Sequence, residues 1–191
     1  MTLSTSLHAP SSPDDPQPAG LDVTLRTGAA ALAAALAAAS DRWLTLVRFS
    51  PTSRWTHLLP AEAAAAVLPP GLHEDLSGAQ VWLLSWLPQQ GTPLHDHGDS
   101  AGAFAVVRGA LTERVVVAGR PGSGVRQSAS ELTGGRIRHF GPHHVHQVTN
   151  AGAEPAVSVH VYTPELRRMN TYAVDADTLV RTGTEKAGVN W

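Results

Sequence analysis

The sequence predicts an all-β body behind a short helical front, and three observations predict it. From residue 81 onward, short apolar runs are cut by glycine and proline at strand-like intervals. No stretch between those runs has the length and period of a crossover helix, which disfavours a parallel α/β sheet. Before residue 70 the texture differs, with two alanine-rich runs in place of the short apolar ones.

Each element has its own reason. In "GAAALAAALAAAS", residues 28–40, Leu32 and Leu36 fall at i and i+4, Thr27 can cap the run and Ser40 stands where the pattern stops. A helix is expected there. Pro60 before "AEAAAAVL" suits a first helical turn, and Pro69-Pro70 would end a second short helix. Both helices are expected to pack outside the core. Strands are expected at "VWLLSWL" (81–87), "AFAVVRGAL" (103–111), "ERVVVAG" (113–119), "GRIRHF" (135–140), "HQVTN" (146–150) and "AVSVHVYTP" (156–164), the spacing of a β-sandwich or barrel. Residues 1–20, rich in Pro, Ser and Asp, read as a disordered tail. Residues 21–191 read as one domain, with the helical front over 27–70 and the barrel over about 80–165.

Composition excludes several classes of function. The 191 residues suffice for one domain with a real core, and 14 Lys+Arg against 16 Asp+Glu give no basic field for nucleic acid. With no cysteine, disulfides, thiolate metal ligands and a cysteine nucleophile are all ruled out. The first 20 residues carry neither a basic n-region nor an apolar h-region. The most hydrophobic stretch, 28–40, is shorter than the roughly 20 apolar residues that cross a bilayer. A soluble cytoplasmic protein with no membrane partner is expected. Ten histidines are a mild excess, and histidine is the commonest metal ligand.

Those histidines are patterned. In "PLHDHGDSAGAFAVVRGALTE", residues 93–113, His95 and His97 share one face of a strand while Asp96 points the other way. That geometry suits two ligands on one metal, although an isolated H-x-H pair is more often two solvent-facing side chains on an edge strand. In "HHVHQVTN", His143, His144 and His146 compete for one further ligand role; the first two read as loop or rim residues. In "VSVHVYTP", Val157, Val159 and Val161 alternate with Ser158, His160 and Tyr162. One face is therefore pure valine, and the other carries three uncharged hydrogen-bonding groups in register, the pattern of an interior polar relay.

The H-x-H pair, Gly102 and Gly109 at their spacing, and a later His-x-x-x-Asn resemble the two conserved motifs of the cupin superfamily. The string "HDHGDSAGAFAVVRGALTE" with "HQVTN" and "VSVHVYTP" resembles the cysteine dioxygenase family of thiol dioxygenases within it, over about residues 80–165. The resemblance implies a cupin β-barrel holding divalent iron, Fe(II), on His95, His97 and His146. It implies a relay of Ser158, His160 and Tyr162 beside the metal, and a reaction that adds both atoms of O2 to a small thiol. Gly102 stands where many cupins have a glutamate ligand, in keeping with three histidines. In the animal enzymes that position is a cysteine cross-linked to the tyrosine, a link this chain cannot form. Three neutral imidazoles leave the metal its full charge, which suits capture of an anionic thiolate.

The substrate anchor departs from the family. Members that oxidise cysteine hold its carboxylate with an arginine in an aromatic-x-Arg stretch before the first strand. The comparable stretch here is "SRWTHLLP", which puts His57 in that place with Arg54 nearby. Arg167 and Arg168, past the last motif strand, are further candidates, since relatives acting on 3-mercaptopropionate use an arginine from a late segment. An arginine is expected over His57, because guanidinium offers a fork of donors and imidazole is largely neutral at pH 7. L-Cysteine is the expected substrate and 3-mercaptopropionate the alternative. A cupin that binds metal or ligand without turnover, and a zinc hydrolase site, are readings of other classes that the spacing itself leaves open.

Overall fold

The structure, a computed structural model, describes residues 28–120 and 123–187; the expected tail over 1–20 and the Thr27 cap lie outside the described residues. Helix α1 (Ala29–Ala38) buries Leu32, Ala33 and Leu36. At its C-terminal end the buried Trp43 indole donates to the Leu36 carbonyl at 2.8 Å, satisfying one of the acceptors the last turn leaves open. Strand β1 (Trp55–Leu59) follows, then α2 (Ala61–Val67), led in by Pro60, and a single turn α3 (His73–Leu76). The rest is strand: β2 (Gln80–Trp86), β3 (Leu94–Asp96), β4 (Ala101–Arg108), β5 (Ala110–Ala118), β6 (Val125–Thr133), β7 (Ile137–Phe140), β8 (His146–Thr149), β9 (Ala156–Thr163), β10 (Arg168–Asp175) and β11 (Thr178–Lys186).

The strands form two antiparallel sheets, ordered β1-β2-β9-β4-β7 and β11-β10-β3-β8-β5-β6. Their inner faces meet in one cluster that includes Trp82, Leu84, Trp86, Phe104 and Val106 from the first sheet and Leu111, Leu132, Val148 and Met169 from the second. This is the all-β barrel expected from the sequence. Strand alternation sends the other side chains of β2, β4 and β9 outward, where Val81, Leu83, Ala103, Ala105, Val157, Val159 and Val161 pack beneath α1. Small residues on β4 and β-branched ones on β9 let the helix lie close. The expected placement of the helices outside the barrel is therefore what the structure shows.

Two expectations about the strands need correction. The run over 103–111 is not one strand but the end of β4 and the start of β5, in different sheets. Gly109 makes the crossing with φ +74°, where a Cβ would stand 2.7 Å from the Pro155 carbonyl oxygen. The barrel also extends beyond 80–165, because β1, β10 and β11 join the sheets. Those strands and β6 are half exposed and rich in polar residues, so no apolar run announces them.

Candidate metal centre

His95 lies on β3 and His97 just beyond it, while His146 opens β8 directly opposite His95. All three are buried, and their ring nitrogens converge within 4.8 Å of one another. The Nε2 atoms of His95 and His97 are 3.2 Å apart. Two imidazole nitrogens bound to one divalent metal at about 2.1 Å and near a right angle would stand roughly 3 Å apart, so the spacing fits a shared ion.

Hydrogen bonds fix which nitrogens face inward. His95 Nδ1 donates to the Pro93 carbonyl at 2.9 Å, and His146 Nδ1 donates to Glu113 Oε1 at 2.8 Å. Each ring therefore carries its proton on Nδ1 and turns a bare Nε2 lone pair to the centre. Burial, the nearby His146 charge and the Arg54 guanidinium push His95 down to about 3, against the Pro93 carbonyl and Asp96. Burial likewise pushes His97 and His160 well below the usual histidine range, and lowers His146 against the opposing pull of Glu113. Neutral, buried and convergent imidazoles are the chemistry of a transition-metal site. Asp96, between the first two, points away and accepts from Tyr172 Oη at 2.6 Å, Asn170 Nδ2 at 2.8 Å and Gly98 N at 2.8 Å, which anchors the ligand-bearing strand to β10.

The polar face of β9 turns into the same space. A small enclosed cavity is lined by Leu84, Trp86, Thr92, Val148 and the rings of His95, His97, His146, His160 and Tyr162. The Trp86 indole can only donate, and it gives its hydrogen to Ser158 Oγ at 2.9 Å. Ser158 turns its own hydrogen to His160 Nε2, also at 2.9 Å. His160 then carries its proton on Nδ1, which faces the Tyr162 oxygen at a long 3.5 Å, and the phenolic hydrogen is directed elsewhere than His160. Burial pushes the Tyr162 hydroxyl far above the usual tyrosine range, against the pull of Arg54, so it stays protonated. His160 and Tyr162 thus line the cavity, Ser158 stands behind His160 on the same face of β9, and the valines lie on the opposite face.

The four anchor candidates separate cleanly. Arg54 is buried, its Nη1 donates to the Gly91 carbonyl at 3.3 Å, and its guanidinium carbon lies 5.7 Å from the centre of the Trp86 ring. Its charge is felt by Tyr162, His160 and His95. His57 pairs with Leu83 across β1 and β2, and Leu83 belongs to the outer cluster, so His57 faces away from the barrel and stacks on Trp55 at 5.4 Å. The two-residue alternation of β1 excludes it from the cavity. Arg167 and Arg168 are exposed and line an outer cleft of about 440 Å3 whose lining also includes His97. Arg168 is paired there with Asp99 at 2.9 Å.

His143 is exposed at the rim, and His144 reaches Glu113 Oε1 at 3.3 Å. Glu113 and Trp86 took no part in the sequence reading of the site, and Asn150 entered it only as the end of the His-x-x-x-Asn pattern. Asn150 is fully buried and donates to the Trp86 and Glu154 carbonyls at 3.0 and 2.8 Å, which explains its fixed distance after His146. For Glu113 the signal was a lone acid two positions after the apolar Leu111, at an inward place on β5.

Residues 73–175 match the model of a protein family described as cysteine dioxygenase type I. That span is more than half of the chain. The chain belongs to the cysteine dioxygenase type I family. The two facing antiparallel sheets are accordingly its cupin barrel, and the buried histidines make it a cupin with a metal-binding triad. No curated protein matches the chain. Among solved structures it is similar to oxalate oxidase in complex with the substrate analogue glycolate, at 18% identity over 61% of this chain and 54% of that one, TM-score 0.46. It is similar to an uncharacterized protein with a double-stranded β-helix domain from Klebsiella pneumoniae, at 21% identity over 62% and 78%, TM-score 0.43. A third is the oxalate decarboxylase of Lactobacillus farciminis in its formate complex, at 11% identity over 75% and 34%, TM-score 0.48. The chain spans about half the length of the oxalate oxidase it matches. Likenesses this distant carry no chemistry across.

Proposed function

We propose that this member of the cysteine dioxygenase type I family is a mononuclear Fe(II) thiol dioxygenase that converts a small thiol carboxylic acid, L-cysteine in the first instance, to its sulfinate. The observation that carries the reading is the convergence of His95, His97 and His146 in the cavity that His160 and Tyr162 line, with Ser158 bonded behind His160. Iron held by the three Nε2 atoms would bind the thiolate and O2 and mediate the transfer of four electrons from the sulfur to O2, both of whose atoms end on the sulfinate.

The protein's own contribution is positional. Arg54, the buried cation beside Trp86, takes the substrate carboxylate, because an unpaired carboxylate at that depth costs several kcal/mol. Tyr162 keeps its phenolic proton and donates a hydrogen bond within the cavity, its oxygen set by His160, Ser158 and Trp86 in sequence. Phe104 stacks on His160 at 4.9 Å and Phe140 on His97 at 4.5 Å, so the rings that matter are clamped.

One observation favours 3-mercaptopropionate as the second reading. Among the described residues the cavity lining includes no carboxylate to receive an α-ammonium group, so an acid anchor at Arg54 would serve either substrate alike. Oxygen-electrode assays of the iron-loaded protein on cysteine, 3-mercaptopropionate and cysteamine, with metal analysis, test both. Sulfinate from a carboxylate thiol supports the proposal. Iron binding with no oxygen uptake on any of the three thiols refutes it, and leaves a metal-binding cupin without this turnover.

A further inference from the structure

The three histidines are unequal in what stands behind them, and the difference has a chemical consequence. His146 Nδ1 faces a carboxylate, Glu113 Oε1, at 2.8 Å; His95 Nδ1 faces a backbone carbonyl, Pro93, at 2.9 Å. His97 Nδ1 is buried with no hydrogen-bond partner among the described residues. We propose that Glu113 is a positioning residue that sets the donor strength of the metal site, holding the His146 proton with a buried negative charge and making His146 the strongest of three graded ligands. The inference rests on the reading of His95, His97 and His146 as the ligands of one iron.

A charged acceptor draws the Nδ1 proton harder than a carbonyl does, and the electron density it displaces through the ring appears at Nε2. Glu113 is built to hold that pose. Its side chain is 0% exposed, Oε2 meets the Arg138 guanidinium at 2.5 Å, and Oε1 also receives His144 at 3.3 Å. Fixed from these sides, the carboxylate has no other orientation. The Arg138 guanidinium against Oε2 and the Nδ1 hydrogen of His146 against Oε1 both favour the ionised carboxylate. A negative charge behind one ligand strengthens the hold on iron and stabilises the ferric state relative to the ferrous one. The weakest donor, His97, is the ligand that also borders the outer cleft.

The plain alternative is that Glu113 only neutralises Arg138. Fe(II) affinity, by competition with a coloured chelator, and the Fe(III)/Fe(II) potential, by spectroelectrochemistry, separate the two on the full chain. Glu113→Gln keeps shape and acceptor oxygen but loses the charge. It is expected to weaken Fe(II) binding by about 10- to 100-fold, the range typical for loss of such a partner, and to raise the potential. Arg138→Met keeps the carboxylate and is expected to bind iron as tightly as wild type or more so. Because a glutamine amide facing Arg138 could unsettle the fold, the double variant Glu113→Gln/Arg138→Met must show the same weakening. Wild-type affinity and potential in the folded double variant would overturn the proposal. Failure of the wild-type chain to bind Fe(II) or Co(II) would instead overturn the ligand reading beneath it.

Discussion

Stripping the metal and lowering the pH is expected to unfold this protein well before ordinary acid denaturation. His95 is neutral in the folded chain down to about 3, whereas in the unfolded chain it protonates near its ordinary value of 6.5. Its folded value is depressed, so above 6.5 neither state binds the proton and the stability is fully present. Below 6.5 the unfolded chain gains a proton that the folded site refuses, and stability falls until about pH 3. The slope is about 1.4 kcal/mol per pH unit for each such histidine, or roughly 2 kcal/mol between pH 6.5 and 5. His97 and His160 are displaced in the same direction by the same burial and add to the loss. The His95 share alone is a sizeable part of the stability of a typical domain, about 5–15 kcal/mol. Urea unfolding of the chelator-treated protein at pH 8, 7, 6 and 5 measures the loss directly. Metal would occupy the lone pairs of His95 and His97, so the loaded protein should keep more of its stability to lower pH. An unfolding free energy that stays level from pH 7 to 5 in the metal-free protein would refute the claim that these rings are buried and neutral.

Other outcomes follow from the same geometry. Tyr162→Phe should bind Fe(II) like wild type yet lose most oxygen uptake; undiminished uptake removes the hydroxyl from the mechanism. Arg54→Lys should raise KM for carboxylate thiols about tenfold or more through loss of the guanidinium fork, with cysteamine little affected. An equal rise for cysteamine would show that Arg54 is not the anchor. Gly102→Ala should cost about 1–3 kcal/mol in urea unfolding, since its Cβ would meet the Val161 carbonyl and stand 2.8 Å from the Phe140 ring. A cost below 0.5 kcal/mol, an outcome in the range of ordinary surface changes, would mean that the β4–β9 pair opens to accommodate it.

What could be read from the sequence was what repeats along a strand. The alternation in "VSVHVYTP" placed the valines and the Ser158, His160 and Tyr162 set on opposite faces, and the structure has them there. The H-x-H spacing put His95 and His97 on one side, and β8 brings His146 opposite. What escaped depended on pairing between distant segments. Strands β6, β10 and β11 carry too little apolar period to be seen alone, and they exist because neighbouring strands supply their hydrogen bonds. Glu113 acquires its meaning only from β5 lying beside β8, a register no local pattern encodes. His57 stayed a candidate for a related reason. Its place in a motif stretch suggested the cavity, while the pairing of β1 with β2 fixes it outside.

Strand β9 is a wall with two tenants, since the relay occupies one side and the valines on the other are roofed by α1. Trimming the chain past Ala38 would therefore do more than remove a surface helix. It would uncover a patch of Val157, Val159, Val161, Ala103 and Ala105 on a flat sheet, the kind of surface that draws other chains together. Shortened versions of the protein should precipitate or pair before they lose their histidine site, and substitutions in Leu32 or Leu36 should be felt as tilting of Tyr162 across the thickness of a single strand.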